Sequence, residues 1–234
     1  KIKTDISGKS VVSAVKGIVP ESNELISDYM VNHFGVSRDR VLVVSGPCHA
    51  EEVALDRPSY LTVGCADVHF ASVLESKRSH AITSTDVEGI EYGAVLKNVY
   101  AIAAGIIHGM KIGDNMTAIL ISNAIREMER FLSEVAPRPR QICDSVYLGD
   151  LLVTAYSRFS RNHNFGSMIG RGYSVKSARM EMEQTAEGFY GTKCIYDINK
   201  LHGVDMPILT AVYSILYNGV PASRAIASLA RQLN

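Results

Sequence analysis

Residues 1–85 alternate short β-branched runs with more polar stretches of helical character. Positions 11–15, 40–44 and 60–65 read as strands, with 81–83 as a fourth. Between them 21–33, 50–55 and 69–79 read as helices. Alternation of this kind predicts an α/β layer built on a mostly parallel sheet. From Asp86 onward the strand signal fades. Residues 87–109 are apolar nearly all round, the pattern of a central buried helix rather than a surface one. A second helix is expected over 115–135, with Asp114 and Asn115 as caps and Pro137 and Pro139 closing it. Residues 174–182 read as a charged helix. Pro207 opens a last helical region that ends amphipathic over 225–233. The chain therefore divides into an α/β part, 1–85, and an all-α part, 86–234.

Composition narrows the classes. Lys plus Arg and Asp plus Glu both number 24, so the formal net charge is zero, which argues against a general nucleic-acid binder. Cys48, Cys65, Cys143 and Cys194 form no CxxC pair and no metal-ligand spacing. They read as free thiols, which points to a reducing, cytoplasmic setting and to no metal. The longest clean apolar run, 99–107, is far short of the roughly 20 residues of a membrane span, so no membrane partner is expected. A second copy of the chain is the macromolecular partner left open.

Four features carry candidate chemistry. The turn Ser45-Gly46-Pro47-Cys48-His49-Ala50 follows a strand and opens a helix. It is either an anion cradle or an ordinary βα turn. Lys97 falls on one helical stripe with Ile90, Ala94, Ala101, Ala104 and His108, and the alanines leave room for a small ligand. A buried ammonium is costly and its pKa is driven toward neutrality, which suits a general acid or base. The alternative is a lysine that snorkels or merely pairs with a carboxylate. Asp150 lies inside the apolar run 148–153 and needs a partner; a buried lysine or a helix N-terminus would serve. The stretch 157–164, rich in Ser, Arg and Asn, reads as a loop able to hold a phosphate. The dinucleotide fingerprint GxGxxG is absent. Its closest string, from Gly170 to Val175, lacks the third glycine and reads as a plain loop.

Together these strings resemble the bacterial-type NAD(P)-dependent glycerol-3-phosphate dehydrogenase family. The resemblance runs through Val15-Lys16-Gly17, Ser45-Gly46-Pro47, the stretch from Gly93 to Asn98, Gly113-Asp114-Asn115, Leu148-Gly149-Asp150-Leu151, Ser160-Arg161-Asn162 with Gly166, Ala186-Glu187-Gly188 and Met206-Pro207, in the family's order. It implies a Rossmann-type nucleotide-binding domain, of which 1–85 would be the second part. An all-helical substrate domain like that of 6-phosphogluconate dehydrogenase would follow over 86–234. The Gly-rich half would precede Lys16 by on the order of 90 residues, so the chain is read as a fragment expected to be inactive alone.

The implied reaction is reversible hydride transfer between sn-glycerol 3-phosphate and dihydroxyacetone phosphate with NAD or NADP, supplying glycerol 3-phosphate for phospholipid synthesis. Lys97 resembles the catalytic acid/base and Asp150 its partner. Lys16, Gly46, Cys48, Ser160, Arg161 and Asn162 would join them around the substrate. Lys16, Ala50, Arg161, Thr185 and Glu187 would touch the cofactor. Departures from the family pattern fall at Cys48, where Ser or Thr is usual, and at Met116–Asn123, without the usual Lys and Arg. Ser145-Val146-Tyr147 replaces a smaller Ala-Gly run. Two other readings remain at this point: another dehydrogenase of the 6-phosphogluconate and β-hydroxyacid group, or a non-catalytic helical module that dimerises or binds a phosphometabolite.

Overall fold

A computed structural model of the chain describes every residue except Lys1, Ala66, Val68 and Arg158. Its strands are β1 (Val11–Ser13), β2 (Val41–Ser45), β3 (Ser59–Gly64) and β4 (Ser79–Ser84), side by side in that order. The first helices, α1 (Ile26–Phe34), α2 (Ala50–Ala54) and α3 (His69–Leu74), alternate with them. From Val87 on, the described secondary structure is helical: α4 (Val87–Gly109), α5 (Asp114–Val135), a π-helix (Ser145–Gly149), α6 (Asp150–Tyr156), α7 (Arg161–Gly170), α8 (Val175–Glu181), α9 (Glu187–His202), α10 (Pro207–Asn218) and α11 (Ala222–Ala230).

The sheet departs from expectation at its centre. β1–β2 and β3–β4 are parallel, but β2 and β3 run antiparallel, with Val43 opposite Gly64. An apolar run buried on both faces carries no sign of its direction, and β2 is such a strand. Val43 packs toward the helical core, while Leu42 packs with Val63, Cys65, Ala71 and Ala81 on the other side. Smaller differences follow the turns. Residues 21–25 lie outside α1, whose start has no side-chain cap and follows an isolated bridge between Ile18 and Leu25. α3 ends at Leu74, so Ser79 opens a strand rather than closing a helix. The cap of α5 is Gly113, without a side-chain cap from Asp114 or Asn115. Ser160 caps α7 by accepting from His163 N at 3.2 Å, so Arg161 and Asn162 sit in a helix's first turn and not on a loop. The 170–175 string closes α7 and leads into α8.

α4 runs through the middle. By length and composition it passes for a membrane-crossing helix, but other helices bury it on nearly every side. Its closest neighbour is α7, and glycines make the approach possible. A Cβ on Gly105 or Gly109 would collide with the backbone of His163 or Ser167, and one on Gly166 or Gly170 with that of Ile102 or Ile106. Each helix thus offers a Gly-x-x-x-Gly edge on which the two backbones touch. Gly166→Ala is expected to destabilise the fold by about 3 kcal/mol, because both relevant atoms are backbone and only a helix displacement makes room. Chemical denaturation checks this; an unchanged midpoint would show that the contact is slack.

Glu127 is a buried cap supplied from a distance. Its carboxylate accepts from Ile208 N at 2.8 Å and Leu209 N at 3.0 Å, at the start of α10 where Pro207 occupies the first position. Burial pushes its pKa up to about 7 against the opposing pull of those two N–H groups. The folded protein therefore keeps this proton where the unfolded chain, with the ordinary value of 4.5, has released it. The contribution of Glu127 to stability falls as pH rises across that window. The stability gap between wild type and Glu127→Gln, which cannot titrate, is expected to shrink from pH 4.5 to 7. Urea titrations across that range measure it, and a widening gap would contradict the assignment.

Candidate active site

The site forms where the β1 and β2 ends meet the middle of α4. Lys97 projects from α4 and is 4% exposed; Asp150, the first residue of α6, is 1% exposed. Their side chains form a direct ion pair through Nζ and Oδ1. The other carboxylate oxygen, Oδ2, faces Lys16 Nζ at 3.4 Å, Ser45 Oγ at 3.3 Å and Gly46 N at 3.3 Å. So the 45–50 turn does cradle an anion, but through the Gly46 amide rather than a helix end, and the anion is Asp150 itself. Gly46 adopts φ +125°, a conformation that L side chains rarely take, and a Cβ there would strike Tyr60 O.

Two buried charges are tolerated only when paired and hydrogen-bonded, and this carboxylate meets both conditions. Burial pulls the Lys97 ammonium down to about 7; Asp150 opposes that fall, and the charge of Lys16 adds to it. A lysine in that range can give or take a proton near neutral pH. The lysine and aspartate that the sequence left with alternative roles are thus joined to each other.

An open cavity of about 900 Å³ lies beside the pair, within the range of small-molecule sites. Lys16, Cys48, Lys97, Ser160, Arg161 and Asn162 line it, as do Ala50 and Glu187. Gly46 and Asp150 stand behind the wall and reach the cavity through the lysines. Thr185 lines a neighbouring cavity of about 320 Å³, not this one. Met116–Asn123, on α5, contributes none of the described lining residues, so that departure does not touch the cavity. Arg161 donates from Nη1 to Gln184 Oε1 at 2.9 Å, and its guanidinium stays exposed at the start of α7. Asn162 is instead buried, its Oδ1 accepting from Gly188 N at 2.9 Å to cap α9. His49 Nε2, on a lining residue, is buried without a hydrogen-bond partner, a polar atom for a bound ligand to satisfy.

Sequence reasoning missed Asn98, Thr154 and Gln184, and it named Ser45 only as the first residue of the 45–50 turn, without a role of its own. Asn98 adjoins Lys97 and lines the cavity. Thr154 lies one turn beyond Asp150 and donates to its backbone carbonyl at 2.6 Å. Both were legible from their spacing to the charged pair. Gln184 carries no such signal, and the partner of Ser45 lies 105 residues away in the chain.

Two family descriptions match the chain: NAD-dependent glycerol-3-phosphate dehydrogenase N-terminus over residues 1–71 and C-terminus over residues 86–227. A glycerol-3-phosphate dehydrogenase (NAD(P)+) of Lysinibacillus sphaericus is 36% identical over 235 residues, covering 98% of this chain and 70% of that protein. One of Chlorobium limicola is 35% identical, covering 96% and 69%. The crystal structure of glycerol-3-phosphate dehydrogenase from Coxiella burnetii superposes with a TM-score of 0.87 at 29% identity, over 93% of this chain and 67% of that one. The Saccharomyces cerevisiae enzyme, at 24% identity and a TM-score of 0.81, shows the shared fold.

Proposed function

The chain belongs to the NAD-dependent glycerol-3-phosphate dehydrogenase family, and on that premise we propose that the Lys97–Asp150 pair is its proton-transfer centre. The reaction is the reduction of dihydroxyacetone phosphate to sn-glycerol 3-phosphate and its reverse, with NAD or NADP, feeding phospholipid synthesis in the cytoplasm. The observation that carries this reading is a buried ion pair whose lysine opens onto a ligand-sized cavity. Residues 1–85 would form the cofactor side and 86–234 the substrate side.

The nicotinamide, when bound, supplies or accepts the hydride. The residues present suit its reactive end: Lys16, Ala50 and Glu187 line the cavity, and His49 offers an unsatisfied polar atom. Thr185 lines the neighbouring cavity and is left out of this set.

In the reducing direction the Lys97 ammonium donates its proton to the carbonyl oxygen as the carbon gains hydride, and a secondary alcohol results. In the oxidising direction the neutral amine takes the hydroxyl proton. Asp150 holds Nζ in place and stabilises its charged form; Ser45, Gly46 and Lys16 hold Asp150 in turn. Arg161 supplies a planar donor fork for the substrate phosphate at the positive end of α7, with Ser160 beside it. Asn162 fixes α9 against α7 and so shapes that end of the cavity. Cys48 lines the wall and offers a thiol in place of a hydroxyl.

The test uses the protein expressed from its complete coding sequence. Oxidation of NADH or NADPH should depend on dihydroxyacetone phosphate. Reduction of a non-phosphorylated hydroxyacid's ketone, with none of dihydroxyacetone phosphate, would overturn the reading.

A further inference from the structure

Lys97 and Asp150 lie 53 residues apart on different helices, so their contact depends on how the segment before α6 is held against α4. That segment is the π-helix Ser145–Gly149, an uncommon wide turn of a kind found mostly as single turns, frequently at functional sites. A second buried cluster fixes it. Tyr147 donates its hydroxyl to Asp86 Oδ2 at 2.6 Å. Arg140 grips the same carboxylate with two bonds, Nε to Oδ2 at 2.8 Å and Nη2 to Oδ1 at 3.2 Å. Asp86 also caps α4, accepting from Gly89 N at 3.2 Å. Arg140 Nη2 reaches the Ala136 carbonyl at 2.7 Å, just past α5. The Tyr147 ring fills a notch in α4: a Cβ on Gly93 would lie 3.1 Å from it. Tyr147 is 3% exposed and Asp86 5%, so both are buried, although their outer edge borders an open cavity of about 290 Å³ with Arg140.

We propose that Tyr147 and Arg140, acting through Asp86, are positioning residues that fasten the turn ending at Asp150 to the helix that carries Lys97. This rests on the reading of Lys97 and Asp150 given above. Asp150 follows Tyr147 by three residues, so a shift of the phenol moves the carboxylate directly. The contacts of Asp150 with Ser45, Gly46 and Lys16 hold it from the sheet side only. The cluster sets its position from the α4 side. Asp86 is otherwise faced by Arg138, whose Nε lies 3.9 Å away, and Lys97 is faced by Asp150 and Lys16.

Tyr147→Phe keeps the ring in its notch and deletes only the bond to Asp86. In the complete enzyme it should lower kcat for dihydroxyacetone phosphate reduction by about tenfold, since small misplacements at a reacting pair are costly. KM should stay within about twofold. The alkaline limb of the kcat profile should move to lower pH, because a poorly seated Asp150 supports the Lys97 ammonium less. Glu127→Gln, which loosens the fold away from the site, should lower the melting temperature at pH 4.5 and leave that limb in place. Should Tyr147→Phe not fold, Arg140→Lys, which breaks the two-bond grip and keeps the charge, gives the same readout. Loss of stability with an unchanged kcat and limb would make the cluster purely structural and overturn the proposal. Near-normal turnover in Lys97→Met would instead remove the reading on which it rests.

Discussion

Replacing Lys97 with methionine should lower kcat by about a thousandfold, in line with the loss of a general acid, while KM for dihydroxyacetone phosphate changes by less than about tenfold. Methionine conserves most of the volume on a stripe shared with Ala94, Ala101 and Ala104. The phosphate grip assigned to Arg161 is untouched, so binding should outlast turnover. The wild-type profile should carry the same signature. With the Lys97 ammonium drawn down to about 7 by burial, ketone reduction, which needs the charged form, should decline above that pH. Alcohol oxidation, which needs the amine, should rise toward it. Steady-state kinetics in both directions checks this; a methionine variant with near-normal turnover removes Lys97 from the chemistry.

Asp150→Ala should cost both stability and rate. Truncating one partner of a buried pair typically costs about 3–5 kcal/mol, because the other charge is left behind. Here the loss is wider than one pair. The alanine also strands the Gly46 amide and the Ser45 hydroxyl and leaves Lys16 and Lys97 facing each other without a counter-ion. The Lys97 ammonium then falls further, since burial and Lys16 both lower it and Asp150 no longer opposes them. Ketone reduction at neutral pH should drop by at least about a hundredfold, and the alkaline limb should shift to lower pH. A variant as stable as wild type, with its limb in place, would show that Asp150 neither balances nor tunes the lysine.

How much of this was legible in the sequence differs from element to element. The α4 boundaries could be read because a helix apolar on all sides leaves one interpretation, and its 87–109 span is the one observed. The pairing of Lys97 with Asp150 was legible from the cost of burying either charge alone. The antiparallel β2–β3 step was not, since hydrophobic runs carry no direction. α7 was hidden for a different reason. Its polar start, 161–164, has no apolar period, and its contact with α4 is made by glycines at 105, 109, 166 and 170 rather than by large side chains. A search for small residues at four-residue spacing would have found it. The Glu127 cap and the Asp86–Arg140–Tyr147 cluster depend on partners brought together only by the fold. Arg140 follows Pro139, past the end of α5, with nothing nearby in the chain to mark it, yet its side chain is 6% exposed.

The most direct test of the central claim is a crystal structure of the complete enzyme with reduced nicotinamide cofactor and dihydroxyacetone phosphate bound. The account predicts Lys97 Nζ within hydrogen-bond reach of the carbonyl oxygen, about 2.6–3.2 Å, and the phosphate against Arg161 at the start of α7. A carbonyl oxygen held by another group, with Lys97 facing only Asp150, would contradict it.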